Sequence, residues 1–424
     1  MVRCGPTTRI IPDPRGTCKR TVPFFMLRTT IALFTAAVLA GVCSAQSDPG
    51  NTPPDQPPPK PVRQLTASPP GLPKDVMPDA VDLLRREGAR TLRHLKNSDA
   101  KRFVFALNWL PVVEHRQFYR REQPREWLST DQFAMLDEAG KKDLELVSAD
   151  GYFFYYTRYG SPLAYARAID VLCEGLGGGD TPLRGKKVLD FGFGGIGHLR
   201  LLASIGLNVT GVEVDPLLQA MYSSPEDVGL IEGTGMADKT PDGVLRLLYG
   251  HWPSDPHIVA EVGDGYDVFL SKNTLKRGYI HPEPPEGQTV DPRKTISLGV
   301  DDQTFVREVA RILRPGGVWL VYNICPAPAK EGEPYIPWAD GRFPFDRALV
   351  EANGFEVIAW DQDDATAMKD FAKAMYWDAG DEKGEGKMDL ENDFFVHYTM
   401  LKRVGQIELQ VPVTTPTPGT TKGQ

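Results

Sequence analysis

Residues 188–202 read VLDFGFGGIGHLRLL, and they join a short apolar run to a helical pattern through a cluster of glycines. The run predicts a buried strand at 187–191, and the pattern after the glycines predicts a helix at 196–205. Glycines in such a loop permit a tight turn and a close approach of the backbone to a ligand. They are Gly192, Gly194, Gly195 and Gly197.

The glycine spacing by itself leaves the ligand open. Gly192-x-Gly194-x-x-Gly197 also matches the dinucleotide fingerprint. Glu213 lies at about the 20-residue offset expected for an acid that binds a ribose. An acid at this place suits more than one nucleotide-type cofactor.

Strand and helix patterns alternate through the rest of the chain. Asp301 begins a helix predicted at 301–313. The alternation predicts an α/β fold, with a parallel sheet that is covered by helices on both faces. Further strands are predicted at 209–214, 244–249, 267–271, 318–324, 356–360 and 394–401.

The composition is that of an ordinary globular protein. The 424 residues suffice for one large domain or two modest ones, with 41% hydrophobic and 25% charged residues. The formal net charge of -8 disfavours a nucleic-acid partner, because phosphate binding needs a basic surface.

The first 45 residues resemble a secretory signal peptide. Arg28 precedes an uncharged apolar run at 31–42, and small residues precede a cleavage position after Ala45. Met26 would start a compact signal, and Cys43 leaves a lipoprotein as an alternative. A cleaved signal predicts an exported protein, and an uncleaved one predicts a membrane tether. If the run is instead a core helix, the protein is cytoplasmic.

Composition divides the remaining chain into four parts. Residues 46–78 are rich in proline and are predicted to be a disordered linker. We expect an N-terminal helical region at 79–180, including a helix that starts at Pro162 after the capping residue Ser161. The α/β domain is expected at 181–404, followed by a disordered tail at 405–424.

Three features narrow the choice of cofactor. Asp190 lies two residues before the first glycine, where a carboxylate would repel a pyrophosphate and favour an ammonium group. Residues 313–317 (LRPGG) join a helix to a buried strand, and residues 212–216 (VEVDP) close the second strand.

With these features the chain resembles the class I S-adenosylmethionine-dependent methyltransferases over residues 150–403. Four segments are similar to that family's motifs in order: VLDFGFGGIG (188–197), GVEVDP (211–216), YDVFLS (266–271) and ILRPGG (312–317). The resemblance implies a Rossmann-like, doubly wound, mostly parallel sheet of seven strands with an N-terminal helical extension. It also implies that S-adenosylmethionine lies across the carboxyl ends of the strands.

The same resemblance implies roles for particular residues. Asp190 and the backbone of the glycine loop would hold the methionine portion, and Glu213 would hold the ribose hydroxyls. The full set of expected cofactor-binding residues is Asp190, Gly192, Phe193, Gly194, Gly197, Glu213, Val214, His251, Trp252, Ser271 and Tyr159.

One segment departs from the family pattern. The family usually has an acidic residue near the adenine amino group, but residues 249–256 read YGHWPSDP and place His251 there. Trp252 could stack on the adenine or simply pack in the core. Asp255 is the alternative acid.

Residues 271–283 (SKNTLKRGYIHPE) are the best candidates for contacts with a methyl acceptor. The candidate catalytic residues are Lys272, Asn273, Tyr279 and His281. His281 could act as a base, because an unperturbed histidine titrates near neutral pH. The alternative is a solvated surface loop. Tyr159 and its neighbours at 151–162 either cover the cofactor or pack the N-terminal region.

These observations predict a methyltransferase that acts on an unidentified acceptor, a small molecule rather than a nucleic acid. A binding module that has lost the reaction and an NAD-dependent oxidoreductase are the alternatives. The seven histidines show no HxH or HExxH spacing, so no metal is expected. No G-x-S-x-G elbow supports a hydrolase.

Overall fold

The computed structural model describes residues 62–65, 79–157, 160–180, 182–234, 240–379 and 387–405. All of them lie in one compact unit. The predicted signal peptide lies outside the described residues, as do most of the predicted linker and nearly all of the predicted tail. Within the described ranges, no helix has both the length and the apolar character needed to span a bilayer.

The described residues form twelve strands. They are β1 (Arg63–Leu65), β2 (His115–Arg121), β3 (Glu126–Ser129), β4 (Glu145–Asp150), β5 (Lys187–Phe191), β6 (Asn208–Glu213), β7 (Gly229–Ile231), β8 (Gly243–Tyr249), β9 (Tyr266–Lys272), β10 (Leu313–Cys325), β11 (Phe355–Asp363) and β12 (Phe395–Arg403).

Thirteen α-helices accompany these strands in the same ranges. They are α1 (Ala80–Thr91), α2 (Ser98–Phe105), α3 (Thr130–Ala134), α4 (Glu138–Lys141), α5 (Gly151–Tyr156), α6 (Ala166–Gly175), α7 (Gly197–Ser204), α8 (Pro216–Met221), α9 (Pro256–Val262), α10 (Arg277–Ile280), α11 (Asp302–Ile312), α12 (Arg347–Ala352) and α13 (Ala365–Ala374). A short 3₁₀ helix at Pro162–Tyr165 leads into α6, and Ser161 caps it as predicted.

The main sheet has the order β11-β12-β10-β9-β5-β6-β8-β7. Strands β8, β6, β5, β9 and β10 pair in parallel, whereas β12 runs antiparallel between β10 and β11. The mostly parallel α/β fold is therefore confirmed. The chain runs outward from β5 to one side and then returns to β9 on the other, which makes the carboxyl edge between β5 and β9 a topological switch point.

All seven strands predicted from the sequence form in this sheet, but the predicted count of seven is wrong. The eighth strand, β7, pairs antiparallel with β8 at the sheet edge. It has only three residues, of which Gly229 and Leu230 are exposed. A segment so short and so little buried has no detectable strand periodicity.

Alternate residues of β5 face the two sides of the sheet. Leu189 and Phe191 lie in the apolar cluster that contains Phe269 and Phe305, whereas Val188 lies in the opposite cluster with Leu199 of α7. Because side chains alternate along a strand, Asp190 lies on the same face as Val188.

The prediction of a helical region at 79–180 is wrong for the three strands that form within residues 115–150. Helices α1 and α2 form, but residues 115–150 contribute three strands to a second sheet of order β1-β4-β2-β3. Strand β1 lies within the predicted disordered linker and pairs with β4, so that prediction is wrong for Arg63–Leu65. The ring centroids of Phe118 and Trp127 lie 5.7 Å apart on this sheet.

A buried ionic network ties the N-terminal part of the unit to its C-terminal part. The Arg167 guanidinium on α6 donates two hydrogen bonds of 2.8 Å to Asp364, just before α13, and one of 3.1 Å to Asp170. The Tyr322 hydroxyl on β10 donates to the same Asp364 carboxylate at 2.8 Å. These groups are buried, so each of them depends on its partners.

We therefore expect Arg167→Met to lower the free energy of unfolding by about 3–5 kcal/mol, because two buried carboxylates lose their cation. Urea denaturation measures this change. The matched control is Arg347→Met, which breaks an exposed pair with Glu351 and should change stability little. Equal effects in both variants would contradict the assigned role of the network.

Candidate functional site

A cavity of about 760 Å³ opens at the carboxyl ends of β5, β6 and β9, beside the switch point. The glycine loop and the residues that follow β6 form one side of it. Its other lining residues include Lys272, a segment at 273–279, residues 293–298 and Trp338. Such a position is where open α/β sheets bind their ligands.

The glycine loop has a backbone that other residues could not adopt without strain. Gly192 has φ +72°, and a Cβ placed on it would lie 2.3 Å from Thr274 Oγ1. The Gly192 amide donates to the Val212 carbonyl at 2.9 Å, and Thr274 Oγ1 donates to the Gly192 carbonyl at 3.1 Å. The loop is thus held between β6 and the end of β9, and glycine is required at 192.

Glu213, at the end of β6, holds the same loop from the other side. Its carboxylate accepts hydrogen bonds from the amides of Gly194 (3.0 Å), Val214 (2.7 Å) and Asp215 (3.2 Å). Burial raises the pKa of Glu213 above its usual value, and these amide hydrogen bonds oppose the rise. A carboxylate has about four lone-pair positions, so one remains for a ligand hydroxyl.

Asp190 lies beneath the glycine loop and does not line the cavity. It is fully buried, and its Oδ2 lies 2.5 Å from His198 Nε2 in the first turn of α7. The His198 ring stacks on Tyr165, with centroids 3.5 Å apart. Burial lowers the pKa of His198, against the effect of Asp190. His198 and Tyr165, rather than Asp190, face the cavity.

Lys272, the last residue of β9, reaches the cavity beside this group. Its side chain is 6% exposed, and its Nζ lies 4.8 Å from the centroid of the Tyr165 ring. The pKa of Lys272 is lowered to about 8. Burial is the main cause, and repulsion from Lys276 is the second. An ammonium group in such a position is costly unless a partner compensates it.

The opposite wall begins directly after Lys272. Asn273 has φ +64°, and its Oδ1 accepts from the Ile324 amide at 2.7 Å. Lys276 Nζ donates to the carbonyls of Ile324 (2.7 Å) and Trp338 (3.2 Å). Burial lowers the pKa of Lys276 and raises that of Tyr279. Strained and buried polar groups of this kind are frequent at binding sites.

Most of the residues predicted from the sequence meet at this cavity. Those that line it are Gly192, Phe193, Gly194, Glu213, Val214, His251, Trp252, Lys272, Asn273 and Tyr279. Four others do not line it, namely Asp190, Gly197, Ser271 and His281. Tyr159 lies outside the described residues.

The positions of these exceptions have physical causes. Gly197 begins α7, where a Cβ would lie 2.9 Å from Pro162, so it serves helix packing. Ser271 is fully buried and its hydroxyl donates to the Phe191 carbonyl at 3.2 Å. His281 Nε2 instead lies 2.9 Å from Asp302 Oδ2 on α11.

The segment after β8 contains Trp252, His251 and Asp255, which have three different environments. Trp252 is 2% exposed and packs against Phe191, Phe269 and Phe305 with centroid distances of 5.5–5.9 Å. It is therefore a core residue that also reaches the cavity wall. His251 is exposed at the cavity, whereas Asp255 caps α9 by accepting from the His257 amide.

Sequence reasoning missed His198, Tyr165, Thr274 and residues 293–298. His198 could have been found, because it occupies the first turn of the helix after the glycine loop. Residues 293–298 carried no motif, and only the fold brings them to the cavity.

The glycine loop permits a test with a matched control. We expect Gly185→Ala to cost about 1 kcal/mol, since its φ is +70° and no atom lies within 4 Å of the added Cβ. Gly192→Ala adds the clash with Thr274 and should cost about 1–3 kcal/mol more. Denaturant unfolding of both variants measures the difference, and equal losses would show that the clash has no energetic effect.

The buried Lys272 predicts a pH-dependent stability difference. Between pH 8 and about 10.5 the unfolded chain binds more protons than the folded one, so native stability should rise with pH relative to Lys272→Met. The rise should reach up to about 3 kcal/mol. Unfolding of ligand-free protein at pH 7, 9 and 10 measures it. Lys294→Met, at an exposed lysine of the same cavity, should give no such rise.

No family model and no curated protein matches the chain. Solved structures do match it at low identity. One is the [4+2]-cyclase SpnF, with 18% identity, 56% of this chain and 81% of that chain covered, and a TM-score of 0.32. Another is an S-adenosylmethionine-dependent methyltransferase from Methanosarcina mazei (16% identity, 53% and 94% covered, TM-score 0.28).

A third match is the magnesium protoporphyrin IX methyltransferase of Synechocystis with bound S-adenosylhomocysteine. It is 13% identical, with 57% of this chain and 84% of that chain covered and a TM-score of 0.27. The solved structures to which this chain is similar thus include methyltransferases and a [4+2]-cyclase.

Proposed function

We propose that the protein is an S-adenosylmethionine-dependent methyltransferase. The observation that carries the proposal is the joint arrangement of the glycine loop and Glu213 at one cavity, at the switch point of the sheet. The loop brings backbone close to a ligand, and the acid that anchors it keeps one accepting position free. This arrangement suits a ligand with a ribose and a compact charged group.

The residues around Glu213 fit a nucleoside. Val214 is 55% exposed at the cavity and offers an apolar surface for a base. His251 lies on the same side and offers a ring nitrogen for a polar edge of that base. Trp252 closes the apolar floor below it.

The residues beyond the glycine loop fit an amino-acid portion better than a pyrophosphate. Asp190 places a buried carboxyl group directly below the loop, which is an unfavourable neighbour for a pyrophosphate. Its Oδ1 is buried and makes no hydrogen bond to any described residue. These features disfavour a dinucleotide, although Glu213 by itself would suit its ribose.

When bound, this cofactor supplies an electrophilic methyl group for in-line displacement by a nucleophile. The contribution of the chain is alignment and exclusion of water. Phe193 and Tyr165 shield the loop side, while Tyr279, Trp338 and residues 293–298 enclose the space left for an acceptor. We propose a small-molecule acceptor, since a cavity of about 760 Å³ has the size of small-ligand pockets.

Binding without turnover is the second function that this geometry supports. His281, the predicted base, is held by Asp302 away from the cavity. Methyl transfer needs a base only when the acceptor atom carries a proton. Without His281 as a base, the reaction is still open to acceptors that arrive unprotonated. A methyl-release assay against pools of small acceptors separates the two functions, because any turnover excludes a pure binding module.

The proposal predicts saturable binding of S-adenosylmethionine and of S-adenosylhomocysteine in calorimetry. Glu213→Gln should weaken both about tenfold, since it removes the charge that accepts the ribose hydroxyl. Glu232→Gln, an exposed acid just beyond β7, is the control and should leave both affinities unchanged.

Two outcomes would contradict the proposal. One is a folded native protein that binds neither compound at millimolar concentration. The other is tight binding of NADH in the same assay, which would favour an oxidoreductase.

A further inference from the structure

Lys272 is a buried cation in the wall of the cavity. Its ammonium group has three donors, yet it makes no hydrogen bond and no ion pair with any described residue. Lys272 is almost fully buried, with 6% of its surface exposed. Lys272 is one of the residues that line the cavity.

The neighbouring charged groups are already occupied. Lys276 donates to two carbonyl oxygens, and Glu213 accepts three amide hydrogens. Asp190 is the nearest source of negative charge, but its close contact is with His198. The aromatic face of Tyr165 attracts the ammonium group without forming a hydrogen bond. A buried ammonium group without a hydrogen-bonded anion is costly, and a ligand anion would reduce that cost.

We propose that Lys272 binds the α-carboxylate of the cofactor's amino-acid portion, an inference that rests on the proposed function. Glu213 ends β6 and Lys272 ends β9, with β5 between them. Neighbouring strands lie about 4.8 Å apart, so these two strand ends are separated by about 10 Å across the sheet. A ligand with its ribose at Glu213 and its amino-acid chain over the glycine loop extends toward Lys272.

A methyl acceptor with an anionic group is the other ligand that could bind Lys272. The surroundings of Lys272 favour the cofactor. Its ring contact is with Tyr165, which stacks on His198 in the helix that follows the glycine loop. The acceptor wall of Tyr279 and Trp338 instead lies around Lys276, whose donors are occupied.

Calorimetry with two nucleosides tests the proposal. S-adenosylhomocysteine carries the carboxylate, and 5′-methylthioadenosine lacks the entire amino-acid group. Lys272→Met and Lys272→Gln should weaken S-adenosylhomocysteine about 10- to 100-fold and change 5′-methylthioadenosine less than about twofold. Retained binding of the second nucleoside also shows that the variants are folded. Lys101→Met, which removes an exposed lysine of α2 that does not line the cavity, should change neither affinity.

The possible failures are distinguishable. If native protein binds S-adenosylhomocysteine and the Lys272 variants bind it equally well, this inference is wrong and an acceptor anion becomes the remaining occupant. If the variants lose both nucleosides to the same extent, Lys272 supports the fold of the pocket and the inference is also wrong. If native protein binds neither nucleoside, the proposed function fails and the inference fails with it.

Discussion

The close packing of Gly192 against Thr274 is the constraint on which the site depends. Gly192 follows β5, which lies between β6 and β9. Its amide donates to the Val212 carbonyl on β6, and its carbonyl accepts from the Thr274 hydroxyl just after β9. Thr274 therefore leaves no room for a side chain at 192. The Gly194 amide then points to Glu213, so the loop and the acid are positioned together. The backbone of the glycine loop therefore forms one wall of the cavity.

Most of the main sheet could be predicted because its strands are short apolar runs between turn residues, as at 187–191 and 266–272. The parts that escaped prediction lack that signal. Strand β2 has the sequence HRQFYRR, in which only Phe118 is fully buried. Strand β7 buries a single residue, Ile231. In both cases pairing with neighbouring strands, rather than local hydrophobic pattern, decides the structure.

The candidate site was predictable where a motif lies at a strand end, as for Gly192, Glu213 and Lys272. Asp190 shows the limit of motif reading. Period-two alternation turns its side chain under α7, where His198 engages it, and not toward the ligand space. His281 shows a second limit, because a loop residue takes its partner from whichever element the fold brings near, here Asp302. Such contacts join segments far apart in sequence.

The charges of the cavity are arranged for an incoming ligand rather than for the free protein. Glu213 and Lys276 have their hydrogen-bonding partners within the chain, whereas Lys272 lacks one among the described residues. Leaving an ammonium group buried and unpaired lowers the stability of the free fold. A ligand that supplies the missing anion binds only the folded chain, and the relief of this cost adds to its affinity. Under the proposed role of Lys272, selectivity for an anionic group follows from the cost of burying this ammonium group without a hydrogen-bonded partner.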